Sequence, residues 1–271
     1  MANYGPGMAR QDEPEVLHGG VANAGAVVRV GDHVLRPANP HTATIHHFLA
    51  FLRDRGFDGV PRPVGIDDDG RERLEFIDGE VPLPPYPAWA QSDESLSSVA
   101  RLLRRFHDVA AGYVPPVAAT WSDEMTDPVG GAVICHNDVC LENVVFRDGI
   151  AVALLDFDFA SPGRPVYDLA QFARMCVPID DDSRVRLGWR PADLAERLRL
   201  VADAYGLTDP DGFFGVLSDG IARGGEFVRR RVEAGDANFI AMWEAFGGQA
   251  RFDRRRAWFA DHAARLRAAL G

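Results

Sequence analysis

Apolar and polar positions alternate in short runs over the first third of the chain, and later recur at three- and four-residue intervals. EVLHG, AVVRVG and HVLRP, between about residues 15 and 36, read as strands, with a turn at Gly31-Asp32. Ile45, Phe48, Leu49 and Leu52 fall at helical spacing in TATIHHFLAFLRDR, which predicts a helix over Thr42 to Arg55 stopped by Gly56. RPVGIDDD and RERLEFID predict two more strands. Asp69-Gly70 joins them in a hairpin, a dipeptide chosen because both residues tolerate positive φ. Five strands and one helix thus make a small first lobe.

The proline-dense stretch GEVPLPPYP, residues 79 to 87, removes backbone donors and marks a lobe boundary. SDESLSSVARLLRRFHDVAAG begins with a capping pattern and sets Leu96, Val99, Leu103 and Phe106 on one helical face. Further helices are predicted over Asp168 to Val177, Pro191 to Tyr205, Asp211 to Ala234 and Asn238 to Leu270, with breaks at Pro178, Gly206 and Gly235. The expected architecture is an α+β chain of two lobes, an antiparallel sheet lobe over 15–80 and a mostly helical lobe over 81–271, after a loose tail over 1–14.

A length of 271 residues suffices for two lobes without disulfides. Cys135, Cys140 and Cys176 are odd in number and lack zinc-ligand spacing, so reduced thiols are expected. A net charge of −11 argues against nucleic acid as a partner. No apolar run reaches the roughly 18–20 residues a membrane span needs, and the N-terminus has no secretory h-region, so a cytoplasmic protein without membrane contact is expected.

The chemistry concentrates in AVICHNDVCLENVVFRDGIAVALLDFDFA, residues 132–160, which reads as strand, loop, hairpin, loop. His136 and Asp138 are two apart, Asn143 is five beyond Asp138, and Asp156 is thirteen beyond Asn143, with Arg147-Asp148-Gly149 turning the hairpin between them. Phosphoryl transfer needs a carboxylate to take the proton of an attacking hydroxyl, and hard oxygen ligands to hold Mg²⁺ against nucleotide phosphates. Asp138 suits the first task, and Asn143 and Asp156 suit the second. Singly, each of the three reads as an ordinary turn residue; the spacing, the hairpin and the apolar strand ALLDFD ending in the carboxylate favour the joint reading.

The arrangement resembles the HxDxxxxN…DFG core of protein kinases and, more closely, that of the aminoglycoside phosphotransferase and choline kinase superfamily. The resemblance spans nearly the whole chain and is strongest from about 97 to 178. It implies a protein-kinase-like fold and an enzyme that uses ATP or GTP with Mg²⁺ to phosphorylate a hydroxyl of a small molecule, either a cation of the aminoglycoside or choline kind or another metabolite. It implies a structural His136, and a buttressing Asp168 in PVYDLAQFAR. Asp158, where protein kinases have glycine, either assists the metal or is a solvated acid.

In the small lobe the resemblance implies that Arg36 in HVLRP takes the place of the phosphate-binding lysine, the alternative being a solvated strand-end arginine. It implies that the backbone of Phe76, Ile77 and Asp78 faces a purine. GGVANAGAVVRV, with Gly19, Gly20 and Gly25, does not spell a kinase glycine loop, and His46 and His47 stand where a helix glutamate is expected. Asp180-Asp181-Asp182, Glu226, Glu233, Asp236 and Glu244, with Trp243 nearby, are either a patch for a cationic acceptor or a solvated face. The departures in the small lobe keep a non-catalytic pseudokinase, binding nucleotide or protein, as the alternative. The oligomeric state is left open.

Overall fold

The alternating positions form five short strands: β1 (Glu15–Val16), β2 (Val28–Val30), β3 (His33–Pro37), β4 (Pro63–Ile66) and β5 (Arg71–Glu75). The structure is a computed structural model that describes residues 14–17, 26–180 and 188–271. The strands make one antiparallel sheet in the order β1-β2-β3-β5-β4, and its register sets Arg36 opposite Glu72. The β4–β5 turn differs from expectation. Gly70 alone adopts positive φ (74°), and the Gly70 N–H donates to the Asp67 carbonyl at 2.9 Å. The extra aspartate makes the loop longer than a two-residue hairpin, so Asp69 is spared the left-handed conformation.

Helix α1 (Thr42–Asp54) buries Ile45, Phe48, Leu49 and Leu52 and ends ahead of Gly56, at φ 81°. The Phe48 ring packs edge-on or tilted against Phe106, Tyr113, Trp121 and Phe157, with centroids 4.9–6.4 Å apart. This helix therefore ties the sheet to the elements that follow it. Residues 76–80 leave β5, and Glu80 exchanges both backbone hydrogen bonds with Phe146, each 2.8 Å. A side chain at Gly79 (φ 147°) would place Cβ 2.5 Å from Val145, so glycine is required where the connection crosses.

Helix α2 (Asp93–Ala110) starts at Ser92, whose hydroxyl accepts the Ser95 N–H at 3.1 Å, and buries Leu96, Val99, Leu103 and Phe106 as the periodicity predicts. Then β6 (Val133–Cys135) pairs with β9 (Ser161–Gly163), and β7 (Val144–Arg147) pairs with β8 (Ile150–Leu154) across Asp148 and Gly149, both at positive φ. Here the two-residue hairpin turn is realised.

The remainder is helical: α3 (Pro165–Cys176), α4 (Leu194–Tyr205), α5 (Pro210–Ala222), α6 (Glu226–Glu233), α7 (Ala237–Ala245) and α8 (Gly248–Ala269). Helix α3 begins at Pro165, whose fixed φ suits a first helical position. Two predicted long helices are each broken in two, at Gly224-Gly225 and at Gly247-Gly248, where Gly225, Gly247 and Gly248 take positive φ. Paired glycines carry no side chain to pack and adopt left-handed backbone at little cost, so they end helices that hydrophobic periodicity alone would continue. The fold is the expected α+β combination of an antiparallel sheet and a helical remainder. Among the described residues no helix is long and apolar enough to cross a membrane.

Candidate active site

Strand β6 ends at a loop held from beneath by one carboxylate. Asp168, in the first turn of α3, is fully buried. It accepts the His136 N–H at 2.7 Å and the Asn137 N–H at 2.9 Å, and pairs with His107 Nε2 at 3.0 Å. Asn137 reaches this geometry at φ 67°, a conformation asparagine tolerates. Burial alone would raise the Asp168 pKa, but the His107 bond and charge, with the backbone donors, hold it below the ordinary carboxylate value. Tyr205 hydroxyl contacts His107 Nδ1 at 2.7 Å, which completes a buried chain from α4 through α2 to the loop. Asp168 thus takes the buttressing place foreseen for it, with His107 as an unforeseen partner.

His136 connects the loop to the next functional segment. One ring nitrogen, Nδ1, accepts the Asp138 N–H at 3.2 Å, so Nε2 carries the proton and donates to the Leu155 carbonyl at 2.8 Å. Leu155 N–H in turn donates to the Asn143 carbonyl at 2.8 Å. The open end of the β7–β8 hairpin thereby brings Asn143 beside the residue preceding Asp156, which turns at φ 60°.

Asn143 donates its side-chain N–H to the Asp138 carbonyl at 2.9 Å and to Asp138 Oδ2 at 3.1 Å. That use of Nδ2 leaves Oδ1 as the atom Asn143 can offer a cation. Asp138 is raised from the usual carboxylate range to about 6, by burial first and then by the negative charge of Asp156. The Asn143 amide oxygen and the part-exposed Asp156 carboxylate are hard oxygen donors of the kind that suits Mg²⁺. The structure thus brings Asp138, Asn143 and Asp156 together.

Arg36 is 7% exposed, not a solvated strand end. Its Nε donates to Glu72, its Nη1 to Asp156 Oδ1 at 2.8 Å and its Nη2 to Asp158. Burial would lower its pKa, but Asp156, Asp158 and Glu72 together raise it. Asp158 also accepts the Asn39 side-chain N–H at 2.9 Å, and burial, then Asp156, lifts its own pKa to about 6. Asp158 is therefore a member of the cluster and not a solvated acid.

The missing helix glutamate has a counterpart on a strand. Glu72, 1% exposed, faces Arg36 from β5 and pairs through its other oxygen with His46 Nε2 of α1 at 2.8 Å. His47 points elsewhere, its Nδ1 2.8 Å from the Tyr113 hydroxyl. A charged residue at an inward position of the alternation in RERLE, across the antiparallel pair from Arg36, was the available signal.

Phe76, Ile77 and Asp78 follow directly on β5, the strand that carries Glu72. Phe76 N–H donates to the Asp32 carbonyl at 2.8 Å, the Arg29 guanidinium lies 3.7 Å from the Phe76 ring, and the Asp78 carbonyl accepts Arg147 Nε at 2.9 Å. Among the described residues no hydrogen bond engages the Ile77 N–H. Gly19, Gly20, Gly25, Asp181 and Asp182 lie outside the described residues.

Asp180, one of the acids proposed for the acceptor, is not part of an exposed acidic surface. Asp180 is buried against Arg255, with Nε at 2.9 Å, and Arg251 at 3.5 Å. Asp236 caps α7 through the Asn238 N–H at 3.1 Å, Glu233 lies 3.6 Å from Arg229 on its own helix, and Glu226 and Glu244 are exposed. Trp243 stacks on Phe252 with centroids 5.6 Å apart.

Residues 117–205, which include the whole Asp138–Asp168 constellation, match the model of the phosphotransferase enzyme family. The trifolitoxin immunity protein of Rhizobium leguminosarum bv. trifolii is 36% identical over 188 residues, 67% of this chain and 70% of that protein. Among solved structures, a choline/ethanolamine kinase family protein from Mesorhizobium loti superposes with a TM-score of 0.62 at 16% identity, over 95% of this chain and 92% of the other. The GDP complex of wild-type aminoglycoside 2′-phosphotransferase-IIIa gives a TM-score of 0.57 at 16% identity, over 92% and 93%.

Proposed function

This chain belongs to the phosphotransferase enzyme family, and from that premise we propose that it moves the γ-phosphoryl group of ATP or GTP to a hydroxyl of a small molecule. The observation that carries the reading is that Asp138, bonded by Asn143 and within reach of the charge of Asp156, sits on the loop that Asp168 braces. Asp138 takes the acceptor proton as its oxygen bonds to the γ-phosphorus; the bond from that phosphorus to the β–γ bridging oxygen breaks, and the nucleoside diphosphate leaves. Asn143 Oδ1 and Asp156 would hold Mg²⁺, which when bound offsets phosphate charge.

Arg36 directs its guanidinium fork toward Asp156 and reaches phosphates held there, while Glu72 and His46 fix its direction. The unengaged Ile77 N–H, between Phe76 and Asp78, is the donor offered to a purine. The lobe of residues 15–80 supplies the nucleotide contacts, and residues 81–271 supply the catalytic and acceptor groups, in a cytoplasmic enzyme. The non-catalytic alternative is not favoured, because binding alone requires neither a positioned base nor a brace beneath it.

The name of the immunity protein supports a more specific version, in which the acceptor is a toxic compound inactivated by transfer. The test is nucleotide turnover across hydroxylated acceptors, comparing the wild type with Asp138→Asn. Turnover should fall by about 10²–10⁴ with the fold retained. For the wild type, kcat/KM should rise with pH through about 6 as Asp138 becomes the ionised base. Undiminished turnover in Asp138→Asn would rule the mechanism out.

A further inference from the structure

Helix α3 carries a cation that the phosphotransfer chemistry does not use. Tyr167, Gln171 and Arg174 lie on one face of it, at helical spacing of four and then three residues. Gln171 Oε1 accepts Arg174 Nε at 2.9 Å and fixes the guanidinium plane. Among the described residues, no hydrogen bond or ion pair engages the two terminal nitrogens, which form the fork. This end of α3 lies against the catalytic loop, for the Cys176 thiol, two residues beyond, sits 3.8 Å from the Val139 carbonyl next to Asp138.

Charges of both signs lie near Arg174. Arg255 and Arg251 repel it and Asp138 attracts it, and its pKa is lowered to about 10, by burial first and then by Arg255. Asp180, the carboxylate close to those two arginines, already accepts hydrogen bonds from Arg255 and faces Arg251. Residues 223–256 hold eight arginines against five acids, although the whole chain carries −11. A guanidinium fork with two arginines nearby and no hydrogen-bonded carboxylate among the described residues gains from an anion that brings its own negative charge and two acceptor oxygens. A cationic group placed on that fork would be repelled.

We propose that Arg174 binds the acceptor, and that the acceptor carries an oxyanion, a carboxylate or a phosphate ester, close to the hydroxyl that is phosphorylated. This inference rests on the phosphotransfer reading of Asp138. The guanidinium grips the oxyanion through its two terminal nitrogens and presents the neighbouring hydroxyl to Asp138.

The test uses glycerate, glycerol 3-phosphate, glycerol and choline as hydroxylated probes of differing charge. Each is titrated against the full chain with saturating Mg·ADP, so that the nucleotide phosphate position is filled, and binding is read as a shift of the thermal midpoint. Glycerate or glycerol 3-phosphate should stabilise the wild type while glycerol and choline do not, and whichever anion binds better identifies carboxylate or phosphate ester. Arg174→Gln should weaken that binding about tenfold or more. Arg174→Lys should retain part of it, and carries the comparison if Arg174→Gln does not fold.

Choline binding in preference to the anions, equal anion binding by wild type and both variants, or binding of neither anion would each overturn the proposal. Mg·ADP binding to the wild type is measured first. Its absence would sink the phosphotransfer reading and this inference with it, whereas normal Mg·ADP binding without anion preference would sink this inference alone.

Discussion

Two buried charges organise the candidate site, and they are built in opposite ways. Asp168 is one anion facing two backbone N–H groups and His107, so both its oxygens are engaged within the protein. Arg36 is one cation facing Glu72, Asp156 and Asp158, with His46 sharing Glu72, so three carboxylates meet one arginine. The first arrangement is complete without a ligand. The second leaves carboxylates in excess, which a cation would offset. A carboxylate whose oxygens are engaged within the protein holds a loop in place, whereas carboxylates in excess make a binding site.

Removing the Asp168 carboxylate should have the larger effect on stability. Asp168→Ala leaves His107 and two backbone donors buried without their acceptor and should cost about 3–5 kcal/mol, with loss of turnover, as checked by denaturant unfolding. A near-neutral effect would mean that the loop does not depend on the brace.

Removing the cation on the other side should destabilise less and in a way that metal reverses. Arg36→Met leaves three carboxylates facing one another, which should lower stability by about 2 kcal/mol at pH 7. Carboxylates whose folded pKa lies above its unfolded value favour the folded state at low pH. The variant should therefore be relatively more stable below about pH 4 and lose that advantage as pH rises through about 6, the value to which Asp158 is already raised. Mg²⁺ should raise its thermal midpoint more than it raises that of the wild type. A pH-independent deficit would contradict the charge account.

The finest test concerns how Arg36 is aimed. Glu72→Gln keeps the shape and one acceptor but loses the charge, and should weaken nucleotide binding about tenfold while leaving unfolding stability within about 1 kcal/mol. An effect on stability alone would make Glu72 a structural residue.

The two sides also differed in how far they could be foreseen from the chain. Asp138, Asn143 and Asp156 are set by a loop and a tight hairpin, so their sequence spacing nearly fixes their separation in space. Glu72 meets Arg36 through strand pairing across 36 residues, and His46 reaches Glu72 from a helix 26 residues earlier. Such contacts follow from sheet register, which spacing along the chain does not encode. His107 was obscured for a related reason: it sits one residue after Phe106 on a helix whose apolar periodicity drew attention to Phe106, and its partner is 61 residues away. The five strands, α1 and α2 were legible because a period of two or 3.6 is a local property. The breaks between α5 and α6 and between α7 and α8 depended on glycine pairs within otherwise helical patterns.

The central claim is that the excess negative charge at Asp156 and Asp158, with Asn143 beside it, is a metal-dependent nucleotide site. Its most direct test is calorimetric titration of ATP and of GTP into the wild type and Asp156→Asn, each with Mg²⁺ and with the metal chelated. The account predicts saturable binding of at least one nucleotide by the wild type that weakens sharply without Mg²⁺, and a loss of that metal dependence in Asp156→Asn. Equal binding with and without Mg²⁺, or no nucleotide binding by the wild type, would contradict it.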